Sequence, residues 1–156
     1  MDSDTEWTVR PVSTADEASW RELYRGYRRF YEMPDDERAL DTVWAWLGDA
    51  FHEVDGFVSV DGRGRLGGLA HVRPFARPLN ADTGLYLDDL YVDPDLRGRG
   101  LGRAILGFLG AHAAEHRFGV VSWMTAQDNT TARALYDSVA TAGPWVTYDM
   151  PARASD

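Results

Sequence analysis

The hydrophobic pattern changes period several times along the chain, and those changes predict its elements. Residues 7–12 alternate as a short strand. Behind them Trp20, Leu23, Tyr24, Tyr27 and Tyr31 recur at helical spacing, which marks one apolar stripe with Arg21, Arg25, Arg28 and Arg29 off it. Thr14 and Glu17 have the spacing of a capping box at the start of that helix. Met33-Pro34 breaks it. Pro34 followed by Asp35, Asp36 and Glu37 suits the first turn of a second helix, whose stripe is Leu40, Val43, Trp44, Leu47 and Phe51. The period then drops to two over 57–60 and 66–72, joined by the tight turn Asp61-Gly62-Arg63-Gly64. Residues 73–83 hold Pro74, Pro78 and Asn80 and read as a loop. A strand over 84–92 follows, then a glycine-rich turn and a helix with Leu101, Ile105, Phe108, Leu109 and His112 on one face. A strand over 120–124, a helix over 129–139 and a last strand over 145–149 complete the order. The prediction is one α/β domain over 1–156. Its early strands are antiparallel, and the strand-helix-strand unit after residue 84 is parallel and right-handed.

Composition narrows the function. The 156 residues carry 44% hydrophobic positions and 6 Trp, a folding composition. All 16 basic residues are Arg, and 25 acidic residues bring the formal charge to −9, which argues against nucleic acid as a partner and tolerates a cationic one. Without Cys there is no disulfide, thiolate metal site or thiol nucleophile. His71, His112 and His116 are scattered, and His52 lacks a partner at ligand spacing, so no metal is expected. Residues 1–9 do not read as a secretory signal, and no 18-residue apolar run exists. A cytoplasmic protein with no membrane partner is expected.

The segment that carries chemistry runs from Leu87 to Arg103. A strand, a turn with Gly98, Gly100 and Gly102, and a helix start make an anion site: several amides point outward unpaired, and the helix dipole adds about half a positive charge. Arg97, Arg99 and Arg103 add formal charge. The turn lacks the third glycine of a dinucleotide fingerprint, and a chain without Lys has no Walker A loop. Asp88 and Asp89 are adjacent carboxylates on a central strand, costly to bury and therefore candidates for function, although pairing with an Arg is the competing reading.

Arg97-x-x-Gly100-x-Gly102 resembles the acyl-CoA motif of the GNAT N-acetyltransferases, and Asn129-x-x-Ala132-x-x-Leu135-Tyr136 resembles that family's later helix motif. Leu85-Tyr86-Leu87-Asp88-Asp89-Leu90-Tyr91-Val92 is similar to a strand of the spermidine/spermine acetyltransferase branch. The resemblance implies a GNAT fold, a central mixed, mostly antiparallel sheet flanked by helices, and acetyl transfer from acetyl-CoA to a primary amine. It implies that Leu90, Tyr91 and Val92 meet the pantetheine arm and that Arg97, Gly98, Arg99, Gly100, Leu101, Gly102 and Arg103 hold the pyrophosphate. Asn129, with Thr130, Thr131 and Ala132, meets pantetheine, and Tyr136 is the acid for the leaving thiolate. Asp88 aligns with a proposed base; being one methylene shorter than Glu, it is expected to act through water. Asp89, Tyr27 and Tyr31 are candidate acceptor contacts, with core packing the rival for the tyrosines. The expected acceptor is a small cationic amine or polyamine. A protein lysine or N-terminal amine, or a non-catalytic acyl-CoA sensor, are the alternatives. Absence of Cys favours direct attack in a ternary complex. The segment after residue 139 departs from the family's terminal hairpin, leaving an open edge and the expectation of a homodimer.

Overall fold

The computed structural model describes residues 6–154. The first five residues, on which part of the signal-peptide reading rests, lie outside them. The chain divides into two compact units, Met1–Met124 and Thr125–Asp156.

In the first unit, β1 (Thr8–Pro11) is followed by α1 (Glu17–Phe30) and α2 (Glu37–Gly48). Then come β2 (Asp55–Val60), β3 (Leu66–Arg77), β4 (Asp82–Val92), α3 (Leu101–Glu115) and β5 (Val121–Ser122). The five strands form one sheet in sequence order, antiparallel except for β4 and β5, which are parallel. This is the mixed, mostly antiparallel sheet the sequence predicts.

The helical stripes pack as their spacing requires. Trp20, Leu23 and Tyr24 of α1 and Leu40 of α2 are buried against Val58, Val60, Leu66, Leu69 and Tyr91. Leu101, Ile105 and Leu109 bury the apolar face of α3, and the Phe108 ring packs tilted against Phe57, the neighbour of Val58 on the opposite side of β2. Arg21 and Arg25, expected on a solvated face, tie α1 to α2 through Asp41 and Glu37. Gly26 admits the closest approach of α1 to the sheet: a Cβ there would lie 2.5 Å from the Tyr91 hydroxyl.

Several boundaries differ from the sequence reading. The capping box sits one residue early, on the single helical turn Thr14–Asp16 that leads into α1: Asp16 accepts from the Ser13 amide at 2.8 Å, while Glu17 bonds Arg21 instead. Residues 73–83 are no loop: β3 and β4 run on to Arg77 and from Asp82, around a single helical turn at Pro78–Asn80. Pro74 is tolerated because β2 pairs no further than Val72, so β3 has only one neighbour at Pro74. Phe51 lies beyond the end of α2 and is fully exposed. The strand over 120–124 shortens to two residues.

The second unit holds α4 (Thr130–Val139). No strand forms over 145–149: Trp145 and Tyr148 are exposed and outside regular structure. Alternation between Pro144 and Pro151 gives strand propensity, but a strand exists only when a neighbour completes its ladder.

Asp16 is 5% exposed and takes both guanidinium nitrogens of Arg10, at 2.7 and 2.9 Å. The Arg10 hydrogen bonds hold its carboxyl below the usual aspartate range, against the opposing effect of burial. A depressed folded-state pKa contributes stability above the unfolded pKa and loses it as pH falls through the folded value. Asp16→Ala is therefore expected to cost about 2 kcal/mol at pH 7 in urea unfolding, through the lost cap and ion pair. The difference from wild type should shrink as pH drops below about 4; a pH-independent difference would exclude this origin.

Candidate active site

The site is built on β4, the strand at which the sheet opens. Leu85 and Tyr86 pair with Val121 and Ser122 of β5, and no later residue of β4 pairs with that strand. Over Leu87–Val92 the backbone has β3 on one side only. The register also shifts there: Val72 lies opposite Leu87 and His71 opposite Asp89, so Asp88 is an extra, bulged residue. A bulge bends the strand and redirects the side chains beside it.

The two carboxylates beside the bulge meet different partners. Asp88 turns outward, 32% exposed, and accepts from Arg73 Nε at 3.0 and 3.2 Å. Partial burial pushes its carboxyl above the usual aspartate range despite the guanidinium. Asp89 turns toward α1. Its Oδ2 accepts from Tyr24 Oη at 3.1 Å and lies 2.7 Å from His71 Nδ1. Burial opposes its charge, but His71, with help from Tyr27 and Tyr24, outweighs burial and holds the carboxyl below its usual range. Burial, reinforced by the Asp89 charge, raises both the Tyr24 and Tyr27 phenols, so these tyrosines stay protonated and act as donors.

His71 is 2% exposed, and its Nε2 lies 3.0 Å from Trp20 Nε1. Nothing in the spacing of Trp20, His71 and Asp89 along the chain joins them, and by spacing alone His71 is one of several scattered histidines. The only hint available was a His and a carboxylate on two strands expected to pair. Tyr27 is half-buried, stacks on Tyr24 at 5.8 Å and directs its hydroxyl to the Asp88 carbonyl at 3.5 Å. Tyr31 is 47% exposed, 5.0 Å from Tyr27, so of the two tyrosines it is the outer one.

Beyond β4, Asp93 caps the turn Pro94–Leu96, and Leu96 is buried as its anchor. Gly98 and Gly100 both have left-handed backbones, with φ of 78° and 84°, and open space where a Cβ would stand. These conformations are why glycine occupies both positions. Gly100 begins α3 without a side-chain cap. Among the described residues, the amides of Gly98, Arg99, Gly100, Leu101 and Gly102 meet no protein acceptor. Donors without acceptors at the start of a 15-residue helix fit a phosphate group. Arg97 lies 5.6 Å from the centre of the Tyr91 ring and 6.0 Å from that of Phe30, with Nε 3.4 Å from the Val92 carbonyl. The cradle and the one-sided β4 backbone suit the diphosphate and the amide-bearing arm of a coenzyme A thioester.

In the second unit Asn129 is the N-cap of α4: its Oδ1 accepts from the Ala132 amide and its Nδ2 donates to Thr125 Oγ1, both at 3.4 Å. Thr130, Thr131 and Ala132 form the first turn after it. Tyr136 lies two turns along the same helix, partly buried with Ala132 and Leu135. Among the described residues no group of three or more His, Cys, Asp or Glu side chains is placed to hold a metal ion, and no helix is long and apolar enough to cross a membrane.

The chain matches the acetyltransferase (GNAT) family over residues 20–140 and belongs to that family of acetyl-CoA-dependent N-acetyltransferases. It is 28% identical over 133 residues to the D-amino-acid N-acetyltransferase HPA3 of Saccharomyces cerevisiae, across 85% of this chain and 83% of that one. It is 30% identical over 107 residues to an aminoglycoside N(6')-acetyltransferase type 1 of Stenotrophomonas maltophilia, across 67% and 65%. The fold matches the crystal structure of a probable acetyltransferase with a TM-score of 0.83, at 20% identity over 95% of this chain and 99% of the other. It also matches AAC(6')-Iy in complex with a CoA-linked bisubstrate analogue, with a TM-score of 0.78, at 14% identity over 96% and 100%.

Proposed function

We propose that this protein acetylates a primary amine carried by a small cationic molecule, a polyamine or a related alkylamine, by direct attack on acetyl-CoA. The observation that carries this reading is the pair Asp88 and Asp89, whose surroundings move their pKa values in opposite directions. Adjacent carboxylates separated in this way divide the labour of one reaction. Asp89, kept ionised by donors, holds the positive charge of the acceptor. Asp88, more basic and exposed, takes a proton from the attacking nitrogen through a water molecule. Tyr27 and Tyr31 line the acceptor side. The similarity of residues 85–92 to the spermidine/spermine branch supports a polyamine. The curated relatives, named for D-amino acids and aminoglycosides, support a small molecule over a protein lysine.

Acetyl-CoA supplies the activated acyl group. Gly98–Arg103, with Arg97, would hold its diphosphate on backbone amides, and Leu90, Tyr91 and Val92 would present main-chain groups to its pantetheine arm. Asn129 would serve pantetheine by exchanging its bond to Thr125 while keeping its cap of α4. Tyr136 Oη holds the proton that a leaving thiolate requires. Absence of Cys excludes a cysteinyl thioester on the enzyme, so orienting two bound substrates carries much of the rate. A homodimer belongs to the same reading, since Trp145, Val146 and Tyr148 expose apolar surface that a second copy would cover.

Thiol release from acetyl-CoA tests the proposal directly, because the protein has no thiol of its own. Polyamines and alkyl diamines should be consumed well above the hydrolytic background, and lysine peptides poorly. Release with no amine of the panel would favour the sensor reading. Gly100→Asp places a side chain that tolerates the left-handed backbone and caps α3 where the diphosphate would sit. Its melting temperature should hold while acetyl-CoA affinity falls at least about tenfold, a loss of roughly 1.4 kcal/mol; unchanged affinity would displace the cradle. Asp88→Asn and Tyr136→Phe should each lower kcat about a hundredfold near pH 7 with little change in acetyl-CoA Kd. The Asp88→Asn loss should shrink near pH 9.5, where more of the alkylamine is already neutral. A loss constant with pH would remove Asp88 as the base.

A further inference from the structure

The buried chain Trp20–His71–Asp89 starts in the hydrophobic core, where Trp20 packs, and ends at the carboxylate assigned to the acceptor. An indole N–H only donates, so His71 Nε2 is the acceptor in the 3.0 Å contact with Trp20. The ring proton is then on Nδ1, where it donates to Asp89 Oδ2 at 2.7 Å. His71 is thereby fixed as one neutral tautomer. The second donor to Oδ2 is the Tyr24 hydroxyl, also neutral. Asp88, one residue away, is instead paired with the Arg73 guanidinium. The two carboxylates therefore differ in net charge as well as in orientation. Asp88 is neutralised by a cation, whereas Asp89 is held entirely by neutral groups. His71 and Tyr24 converge on Oδ2, and Tyr27 is a third neutral donor to the carboxylate, whose side chain is still 18% exposed.

We propose that Trp20 and His71 are positioning residues for acceptor recognition: the indole locks the imidazole as its Nδ1–H tautomer, and that tautomer orients Asp89 without cancelling its charge, so that the carboxylate selects a cationic amine. This rests on the reading of Asp89 as the acceptor's counter-charge. A histidine free to bind a second proton would compensate Asp89 internally and leave the acceptor ammonium without a partner. Burying three polar side chains costs stability unless each is satisfied, and here each bond is also the orientation of the next.

The test combines a spectroscopic readout with kinetics on the full chain, using spermidine as the acceptor. Imidazole ¹⁵N shifts of the four histidines should show one ring, lost in His71→Leu, with Nδ1 protonated and Nε2 bare; Nε2 protonation of that ring overturns the proposal. His71→Leu should raise the spermidine KM about tenfold while the acetyl-CoA KM stays within twofold. His71→Asn, whose amide N–H falls near the place of Nδ1–H, should restore most of the spermidine KM. Trp20→Phe combined with His71→Leu replaces the polar pair by an apolar one, which protects the core, and should reproduce the tenfold rise. An unchanged spermidine KM in both His71→Leu and the double variant overturns the proposal. So does an equal rise in both substrates' KM values that His71→Asn fails to rescue, the mark of a structural role. Asp89→Asn separates this from the site reading itself. If it leaves the spermidine KM unchanged, the placement of the acceptor fails; if it raises that KM while the His71 variants do not, only the tautomer lock fails.

Discussion

Every feature of the site depends on β4 losing one neighbour halfway along its length. A strand inside a sheet spends its backbone donors and acceptors on two partners. Here the partner on one side ends at Tyr86, while β3 continues to the end of the strand. The exposed row of polar groups from Leu87 to Val92 would be an invitation to pair with anything extended. Directly beyond it, two left-handed glycines turn the chain so that α3 starts with its amides uncapped. One continuous run of main-chain groups is thus left open, first along a strand edge and then around a helix start. That is a shape for a long, amide-bearing, anionic ligand, and it is made almost wholly of backbone.

The bulge at Asp88 sets the side chains beside that open edge. In an unbroken strand the two aspartates would point to opposite faces as neighbours, one of them into the core without compensation. With the extra residue, Asp88 reaches Arg73 at the surface, and Asp89 enters a cluster of hydroxyl, imidazole and indole groups from α1 and β3. One carboxylate becomes more basic and the other less so. The cost of burying Asp89 is offset by its hydrogen bonds to His71 and Tyr24.

Elements whose causes are local were legible in the chain. The stripes of α1, α2 and α3, the Asp61-Gly62 turn and the parallel β4–α3–β5 unit follow from spacing and from residues with special backbone preferences. The glycine turn was legible for the same reason, since Gly98 and Gly100 stand where only a left-handed backbone closes the turn. So was the helix carrying Asn129 and Tyr136. Where the reading went astray, the deciding partner was distant. Pro74 suggested a loop, yet it lies on a strand whose other neighbour has already ended. Residues 145–149 alternate as a strand does, yet no ladder forms over them.

What the acidic pair becomes is settled by contacts between distant segments. Which aspartate meets Arg73 and which meets His71 depends on a one-residue register shift between β3 and β4, and register is set by the packing of whole faces rather than by any residue in the strand. The joining of Trp20 to His71 across 51 positions needs α1 docked on the sheet, close enough that Gly26 admits Tyr91. Hydrogen bonds of this kind leave no period and no motif in a single chain. They arise when two surfaces, each legible alone, are pressed together and their polar atoms must find one another.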